Sequence, residues 1–275
     1  MSMHEAISEV STLLFVPGDR PERFEKATAS GAGLVVVDLE DAVAPSNKPA
    51  ARSNAAAWAR DHACIVRING VGTAWHADDV AQLAASSCGI MLPKAERPDD
   101  VRRLVAAVGG CGVVALVETA RGILDAASIA ELDGVDRLAL GSFDLATELG
   151  VNPSDREALL ASRSALVLAS ARAGLPGPVD GITAGIDDPA GITDDTDYAR
   201  RLGFTGKLCI HPRQVAPVAD ALRPSEAERS WAATVTAAQR EGVGVVDGAM
   251  VDKPVIERAE RILRRFARTT TSGTI

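Results

Sequence analysis

The stretches Gly112-Val-Val-Ala-Leu-Val-Glu118 and Arg137-Leu-Ala-Leu-Gly-Ser-Phe-Asp144 decide the fold that this sequence predicts. Each contains an apolar run of strand length that leads to an acidic residue, and the neighbouring stretches are typical of helices. In a parallel α/β barrel the ends of successive strands meet at one rim, and that rim carries the chemistry of the fold. We therefore expect Glu118 and Asp144 to lie together at such a rim.

The same alternation of strand and helix runs along nearly the whole chain. Strands are predicted at Thr12–Val16, Leu34–Leu39, Cys64–Ile68, Gly89–Leu92, Val113–Val117, Arg137–Leu140, Val179–Ile182 and Lys207–Ile210. The helices predicted between them include Arg20–Ser30, Lys48–Arg60, Pro98–Val108, Arg121–Glu131 and Asp155–Ala173. Because this alternation implies parallel pairing with right-handed crossovers, eight repeats predict a closed (β/α)8 TIM barrel. No GxGxxG follows the first strand, which counts against a dinucleotide-binding sheet.

Composition agrees with one large barrel and excludes several classes of protein. A length of 275 residues suits this fold, and 47% apolar residues with only 3% aromatic ones predict a core of Ala, Val, Leu and Ile. A net charge of −8 argues against a nucleic-acid surface. The four cysteines are widely spaced beside apolar runs, so we expect reduced core thiols and no disulfide framework.

The sequence predicts neither export nor membrane insertion. The N-terminal residues lack a basic region followed by an apolar stretch. No apolar run approaches the roughly 18 residues of a membrane span. We therefore expect a soluble, cytoplasmic protein with no membrane partner.

The chain is longer than a minimal barrel requires. We expect the barrel to occupy residues 1–222 and to end with a helix over Pro212–Leu222. Residues 223–275 predict one helix that begins near Ser225 and a last helix that ends near Arg268. This C-terminal helical extension is either a lid or arm that packs on a neighbouring subunit, or a helical cap on the barrel's own surface.

The two rim acids suggest a metal site. Two carboxylates with few other ligands suit Mg²⁺, which keeps waters and takes further oxygens from substrate, with Mn²⁺ as the alternative metal. In the other interpretation, Glu118 and Asp144 simply cap the helices that follow them.

Other charged residues also follow predicted strands. Arg67 ends the third strand, where its guanidinium either clamps a substrate carboxylate through two parallel hydrogen bonds or pairs internally with rim acids. Lys94 follows the fourth strand. A Schiff-base role is one interpretation of Lys94, and a charge-balancing role is the favoured one.

Three acids follow the second strand, in Asp38-Leu-Glu40-Asp41. Carboxylates this close together repel one another unless a cation neutralises them. We expect them to surround the metal site from outside, where they hold metal-bound waters and orient Arg67 or Lys48.

The first loop is rich in basic residues, with Arg20, Arg23 and Lys26 in Phe15-Val-Pro-Gly-Asp-Arg-Pro-Glu-Arg-Phe-Glu-Lys26. Gly18 allows a sharp turn, and basic side chains at a helix start suit a phosphate or pyrophosphate. The alternative is that they are ordinary solvated charges.

His211 follows the eighth strand and is the only histidine at a predicted rim. A structural role is favoured over a catalytic one. No serine lies in a GxSxG context, and no HExxH or P-loop is present, so serine hydrolases, zinc peptidases and P-loop NTPases have no support.

Taken together, these stretches resemble the citrate lyase β-subunit-like and malyl-CoA lyase proteins of the HpcH/HpaI aldolase superfamily. The matching segments are Leu14–Lys26, Val37–Val43, Val66–Asn69, Met91–Glu96, Ala115–Gly122, Gly141–Leu145, Gly206–Pro212 and Gly248–Pro254. They follow one another in order over nearly the whole chain, which makes the set highly specific.

The resemblance implies Mg²⁺ held by Glu118 and Asp144, and a CoA thioester as substrate. Arg67 and Gly141 would contact a keto acid such as oxaloacetate, pyruvate or glyoxylate. The Arg20 region, with Lys26, would face the CoA phosphates.

The resemblance also implies a homotrimer or a hexamer. In the malyl-CoA lyase branch a C-terminal aspartate of a neighbouring subunit is the general base, and Asp252 matches it.

The leading hypothesis is thus a Mg²⁺-dependent lyase of malyl-, citramalyl- or citryl-CoA. One alternative is a CoA-independent, metal-dependent aldolase of 2-keto-4-hydroxy acids. Another is a non-catalytic keto-acid-binding or complex-forming subunit.

Overall fold

The computed structural model describes residues 2–84, 86–240, 244–246 and 248–271. In these residues eight parallel strands form a closed barrel in chain order, with β1 paired to both β2 and β8. The strands are β1 Thr12–Pro17, β2 Leu34–Asp38, β3 Cys64–Arg67, β4 Gly89–Leu92, β5 Val113–Val117, β6 Val135–Leu140, β7 Val179–Asp180 and β8 Gly206–Cys209. The predicted (β/α)8 TIM barrel is confirmed.

Helices follow the strands. Those up to β8 are α1 Met3–Glu9, α2 Phe24–Thr28, α3 Lys48–Trp58, α4 His76–Leu83, α5 Pro98–Val108, α6 Ala120–Ala130, α7 Ser142–Leu149, α8 Leu160–Arg172 and α9 Pro189–Leu202. After β8 come α10 Pro212–Leu222, α11 Glu226–Arg240 and α12 Lys253–Thr271. Short 3-10 turns lie at Pro21–Arg23 and Pro45–Asn47.

Several element boundaries differ from the sequence predictions for local reasons. The predicted helix Arg20–Ser30 is a 3-10 turn followed by the five-residue α2. Helix α8 begins at Leu160 because Asp155 accepts hydrogen bonds from the backbone N–H groups of Glu157 and Ala158 in a preceding turn. Strand β7 has only two residues, between Pro178 and Gly181, and both residue types weaken strands.

Helix α1, which the sequence analysis did not predict, closes the N-terminal end of the barrel. Ile7 is fully buried in the core cluster that also holds the inward-facing residues of the strands. Gly89 and Gly112 provide its space, because a Cβ atom at either position would lie 2.8 or 2.7 Å from the Cδ1 atom of Ile7. The capping box of Ser2 and Glu5, a readable start signal, begins this helix.

A buried arginine fastens α1 to the barrel. The guanidinium of Arg137 on β6 donates hydrogen bonds to the carbonyl oxygens of Ile7 (3.0 Å) and Val10 at the end of α1. It also donates to the carbonyl of Gly177 (3.1 Å) and the hydroxyl of Thr205 (2.7 Å), which precede β7 and β8. Arg137 therefore joins four segments at the N-terminal end.

The chain divides into two compact units, Met1–Ala219 and Asp220–Ile275. In the second unit α11 packs on α12 around the buried residues Ala232, Val235 and Ala259. A short antiparallel hairpin, β9 Val245–Val246 and β10 Ala249–Met250, precedes α12. Within the described part of the chain, no helix combines the length and apolar character that crossing a membrane demands.

Candidate active site

A cavity of about 350 Å³ lies at the C-terminal ends of the barrel strands. Its lining comprises Phe15, Asp38, Asp41, Ala42, Arg67, Leu116, Glu118, Leu140, Gly141, Ser142, Phe143, Asp144, Ile182, Leu208 and Ile210. Since TIM barrels place their chemistry at this end, the cavity is the candidate active site.

The cavity has two unlike halves. The polar half contains Asp38, Asp41, Arg67, Glu118 and Asp144, which lie on or just after β2, β3, β5 and β6. The apolar half contains Phe15, Ile182, Leu208 and Ile210, which lie on or just after β1, β7 and β8. Four further apolar residues of the lining lie among the acids, on or just after β2, β5 and β6: Ala42, Leu116, Leu140 and Phe143. Because the barrel closes β8 onto β1, Phe15, Ile182, Leu208 and Ile210 form one continuous arc, which meets the guanidinium of Arg67 at Phe15.

Glu118 and Asp144 come together around the side chain of Lys94. The Nζ atom of Lys94 lies 3.8 Å from Oε1 of Glu118 and 3.4 Å from Oδ2 of Asp144. The backbone N–H of Lys94 also donates to Oε1 of Glu118 at 2.9 Å. A Cβ atom at Gly141 would lie 2.3 Å from Oε2 of Glu118, so glycine is required beside this carboxylate.

The surroundings of Glu118 disfavour its charge. Burial raises the pKa of Glu118 to about 7, with further contributions from the negative charges of Glu40 and Asp144, while Lys94 opposes the shift. Burial likewise raises the pKa of Glu40. A buried acidic cluster of this kind calls for additional positive charge.

Lys94 supplies part of that charge and adopts an unusual backbone conformation. Among the described residues, Lys94 is the one non-glycine residue with a positive φ, which is +48°. Strained backbone conformations of this kind cluster at functional sites. Burial would lower the pKa of Lys94, but its hydrogen bond to Glu40 at 3.0 Å and the nearby carboxylates raise it overall. Lys94 therefore remains an ammonium ion among three acids.

Arg67 is clamped from one side by a carboxylate on the neighbouring strand. Asp38 and Arg67 are register partners on β2 and β3, and the Nε and Nη2 atoms of Arg67 each donate to Asp38 at 2.7 Å. Its Nη1 atom lies 3.1 Å from Glu40 and 3.8 Å from Asp41, and its guanidinium carbon lies 4.7 Å from the ring centre of Phe15. The Nη1–Nη2 end of the guanidinium is the edge that Asp38 does not cover.

The acidic loop after β2 is itself held in place. Asp38 accepts hydrogen bonds from the backbone N–H groups of Glu40 (2.9 Å) and Ala42 (3.0 Å). Lys48 donates to the carbonyl oxygens of Leu39 and Glu40, each at 2.8 Å. The Oε2 atom of Glu40 is buried and accepts no hydrogen bond despite its closeness to Arg67, so this oxygen has unused hydrogen-bonding capacity.

The donor set fits a hard divalent cation. Among the described residues, no group of three or more His, Cys, Asp or Glu side chains is arranged to hold a metal ion. The pair of Glu118 and Asp144 offers carboxylate oxygens, which suits Mg²⁺ because this ion keeps several waters and accepts ligand oxygens. A tetrahedral nitrogen and sulfur site for zinc has no support here.

Comparison with known proteins identifies the family of this barrel. The family model described as HpcH/HpaI aldolase/citrate lyase matches residues 11–212.

The chain belongs to the HpcH/HpaI aldolase/citrate lyase family.

Among its relatives in the family is a citrate lyase subunit beta-like protein of Mycobacterium tuberculosis, 40% identical over 268 residues that cover 94% of this chain and 96% of that protein. A (3S)-malyl-CoA thioesterase of Cereibacter sphaeroides is 35% identical over 92% of this chain and 93% of its own length. The solved structure of CitE from Mycobacterium tuberculosis with magnesium, acetoacetate and coenzyme A superposes with a TM-score of 0.83 at 39% identity. The match covers 94% of this chain and 99% of that one.

The structure brings most of the predicted site residues of this family member together. Arg67, Asp38, Asp41, Gly141 and the acid pair line the cavity. Three further predicted residues contact that group from outside. Glu40 and Lys94 do so through their side chains, and Lys48 does so by donating to backbone oxygens. Of the two cations that the acids were expected to orient, Arg67 is the one that their side chains contact. The Nζ atom of Lys48 donates instead to two backbone carbonyls and to Oδ1 of Asn69 at 2.6 Å.

The remaining predicted residues lie outside the cavity lining. Arg20, Arg23 and Lys26 are exposed near the 3-10 turn after β1. The Nδ1 atom of His211 accepts a hydrogen bond from the backbone N–H of Arg213 at 3.2 Å, in the first turn of α10. Asp252 belongs to the second unit, where its side chain accepts a hydrogen bond from the backbone N–H of Val255 (3.2 Å) at the start of α12.

The sequence analysis missed the apolar half of the cavity. Phe15 and Ile182 have the character of ordinary strand residues. Leu208 on β8 and Ile210 directly after it alternate with Lys207 and Cys209. The signal that could have found them is this alternation, because every second residue of a barrel strand faces the interior.

Proposed function

We propose that the protein is a Mg²⁺-dependent carbon–carbon lyase that cleaves a 3-hydroxyacyl-CoA thioester into acetyl-CoA, or another acyl-CoA, and a 2-keto acid. Malyl-, citramalyl- and citryl-CoA are the candidate substrates. The observation that carries this proposal is the juxtaposition of Glu118 and Asp144 with the clamped guanidinium of Arg67 in one cavity. The relative described with magnesium, acetoacetate and coenzyme A supports it.

The reaction sets definite demands on the site. A base takes the hydroxyl proton, and the electrons of that O–H bond form the keto C=O bond. The bond between the α and β carbons breaks, its electrons pass to the thioester as an enolate, and the α carbon then takes up a proton. The site must therefore bind a carboxylate, stabilise oxygen charge and supply a base.

Arg67 would bind the carboxylate of the substrate. Asp38 occupies the Nε–Nη2 side of its guanidinium and so fixes the Nη1–Nη2 end toward the cavity. This end can form two parallel hydrogen bonds to a carboxylate. The carboxylates around Arg67 outweigh the effect of burial and raise its pKa, so it stays charged.

Glu118 and Asp144 would hold Mg²⁺ in the polar half, with Lys94 and Glu40 beside them. When bound, the ion supplies Lewis-acid polarisation of substrate oxygens. Gly141 keeps open the space that the Glu118 carboxylate needs. Arg20, Arg23 and Lys26 are exposed cations suited to the phosphates of CoA.

Asp252 of a neighbouring copy would act as the base, which makes the working form a homotrimer or hexamer. In this proposal residues 223–275 form an arm on the adjacent subunit. Asp252 is exposed at the start of α12, so its carboxylate is accessible to the cavity of a neighbouring subunit.

The test is product analysis with malyl-, citramalyl- and citryl-CoA, each with Mg²⁺ and with EDTA as the control. We expect equal amounts of acetyl-CoA and a 2-keto acid from at least one thioester, only with metal. The matched variant is Glu118→Gln, which keeps the shape of the side chain and removes the charge. Absence of cleavage of all three, or full activity in EDTA, would contradict the proposal.

A second candidate activity is hydrolysis of the thioester, because a relative at 35% identity is a (3S)-malyl-CoA thioesterase. The same assay separates the two reactions by their products. Hydrolysis gives free CoA and the intact hydroxy acid, whereas the lyase gives acetyl-CoA and a keto acid.

A further inference from the structure

The three candidate thioesters differ at one position only. Each carries a hydroxyl, a carboxylate and the CH2–CO–SCoA arm on one carbon. The fourth substituent of that carbon is hydrogen in malyl-CoA, methyl in citramalyl-CoA and CH2–COO⁻ in citryl-CoA. The surroundings of this fourth substituent therefore select among them.

The polar half of the cavity can form an ion pair with one carboxylate of the substrate. Among the described residues of the lining, Arg67 is the sole cation. Asp38 already occupies one side of its guanidinium, and Glu40 lies 3.1 Å from Nη1, so at most the Nη1–Nη2 edge serves one substrate carboxylate. Lys94 is outside the lining, and its ammonium group lies within 3.8 Å of Glu40, Glu118 and Asp144, so its charge is already paired with those acids.

The apolar half contains no charged residue of its own, and it borders the guanidinium of Arg67 only through the ring of Phe15. Phe15, Ile182, Leu208 and Ile210 form the arc from β7 through β8 to β1. A substrate whose oxygens face the acids and Arg67, and whose CoA arm leaves through the open mouth, places its fourth substituent against this arc. A methyl group is stabilised there, whereas an unpaired carboxylate loses its hydration without compensation.

The two cations nearest in sequence to the β8 residues of this arc are already paired. Lys207 is buried on the other face of β8, with its Nζ atom 3.0 Å from Asp180 and 2.9 Å from Asp195. Arg213, in the first turn of α10, forms an ion pair with Asp187. Neither lines the cavity.

We infer that the substrate has a single free carboxylate and a small uncharged group on its hydroxyl-bearing carbon, with methyl favoured over hydrogen. The keto acid released is accordingly a monocarboxylate with a short alkyl group. This inference rests on the proposed lyase function and narrows it. It ranks citramalyl-CoA above malyl-CoA, and both above citryl-CoA.

The decisive experiment compares kcat/KM for the three thioesters at saturating Mg²⁺. We expect citramalyl-CoA to exceed malyl-CoA by roughly tenfold, the effect of one methyl group in an apolar pocket. It should exceed citryl-CoA by roughly 100-fold, because the second carboxylate has no partner. A kcat/KM for citryl-CoA equal to or above that for citramalyl-CoA would overturn the inference.

Two lysine variants test the placement of the fourth substituent. Ile210 is 42% exposed at the cavity, and Ile186 is 36% exposed after β7 but outside the lining. We expect Ile210→Lys to lower the ratio of kcat/KM for citramalyl-CoA to kcat/KM for citryl-CoA by at least roughly tenfold, since the new lysine adds a partner for the second carboxylate. Ile186→Lys should leave the ratio unchanged. An unchanged ratio in Ile210→Lys, or equal changes in both variants, would contradict the assignment.

Binding of keto acids separates failure of this inference from failure of the proposed function. Calorimetric titration of the Mg²⁺-loaded protein with pyruvate and oxaloacetate requires no thioester turnover. Tighter binding of pyruvate with no cleavage of any thioester would refute the lyase and uphold the selectivity. Cleavage with tighter binding of oxaloacetate would uphold the lyase and refute the selectivity.

Discussion

Arg67 and Arg137 are arginines enclosed at opposite ends of the same barrel, and their partners differ. At the N-terminal end Arg137 donates to the backbone carbonyls of Ile7, Val10 and Gly177 and to Thr205. At the C-terminal end Arg67 faces a cluster of carboxylates and an open cavity. Arg137, whose partners are neutral acceptors, serves the fold. Arg67 lies in a crowded anionic site with an Nη1–Nη2 edge that Asp38 does not cover, and it is placed to serve a ligand.

The two ends also differ in strain and titration. The C-terminal end holds the positive φ of Lys94 and a glutamate whose pKa burial raises to about 7. The N-terminal end holds the apolar contacts of α1. Substitutions at the C-terminal end should therefore change kinetics, and substitutions at the N-terminal end should change stability.

The largest expected effect concerns the proposed base. Asp252→Asn should lower kcat by roughly 10²–10⁴-fold, the usual contribution of a general base. Asparagine is as good a helix cap as aspartate, so α12 and Mg²⁺ binding should persist. Steady-state kinetics with circular dichroism as the control would check this. Near-wild-type turnover would remove Asp252 from the mechanism.

Arg67→Lys should lower kcat/KM by roughly 100-fold, because lysine cannot bind Asp38 and a substrate carboxylate with two parallel hydrogen bonds each. The loss should appear with every thioester that is turned over. The matched control is Arg137→Lys, which should retain kcat/KM. Equal losses in both variants would break the proposed difference between the two ends.

Arg137→Met should lower the free energy of unfolding by about 3 kcal/mol, because buried carbonyls of α1 and the loop before β7 lose their donor. Urea denaturation would measure this change. At 25 °C the folded fraction should keep its kcat/KM. A stability equal to that of the wild type would show that α1 does not depend on this guanidinium.

The smallest effect is a pH dependence at the N-terminal end. The hydrogen bond to Asp136 is the main cause of the raised pKa of His4, and its other ring nitrogen lies 3.1 Å from the carbonyl oxygen of Gly110. Burial raises the pKa of Asp136 in spite of this pairing, so the pair offsets only part of the cost of burying that carboxylate. Because the folded state raises the pKa of His4, its stabilisation is present below the unfolded value of about 6.5 and is lost as pH rises through the folded value.

His4→Gln should therefore destabilise the protein at pH 5.5 more than at pH 8.5. His4 is partly exposed, so the difference should stay below about 1 kcal/mol. Urea denaturation of both proteins at the two pH values would measure it. A larger loss at pH 8.5 would reverse the assigned sign.

The sequence was sufficient for the barrel because its strands are apolar runs with clear ends. Predicted and observed bounds agree fully for Gly89–Leu92 and Val113–Val117. The prediction failed where the signal is tertiary. Helix α7 follows β6 after only Gly141. Helix α1 has a local start signal in its capping box, but that its residue Ile7 closes the barrel end follows only from the tertiary structure.

The candidate site shows the same limit. Glu118, Asp144 and Arg67 could be predicted because each is a charged residue at the end of an apolar run. The clamp between Asp38 and Arg67 joins residues 29 positions apart and depends on the register of β2 and β3, which no local pattern encodes. The apolar half likewise emerges only when the barrel closes.

The most direct test of the account is a calorimetric titration of the wild-type protein, Glu118→Gln and Arg137→Lys with Mg²⁺. The account predicts one Mg²⁺ per chain for the wild type and Arg137→Lys, and more than about 100-fold weaker binding for Glu118→Gln, since even outer partners of metal ligands contribute 10–100-fold. Wild-type Mg²⁺ affinity in Glu118→Gln would contradict it.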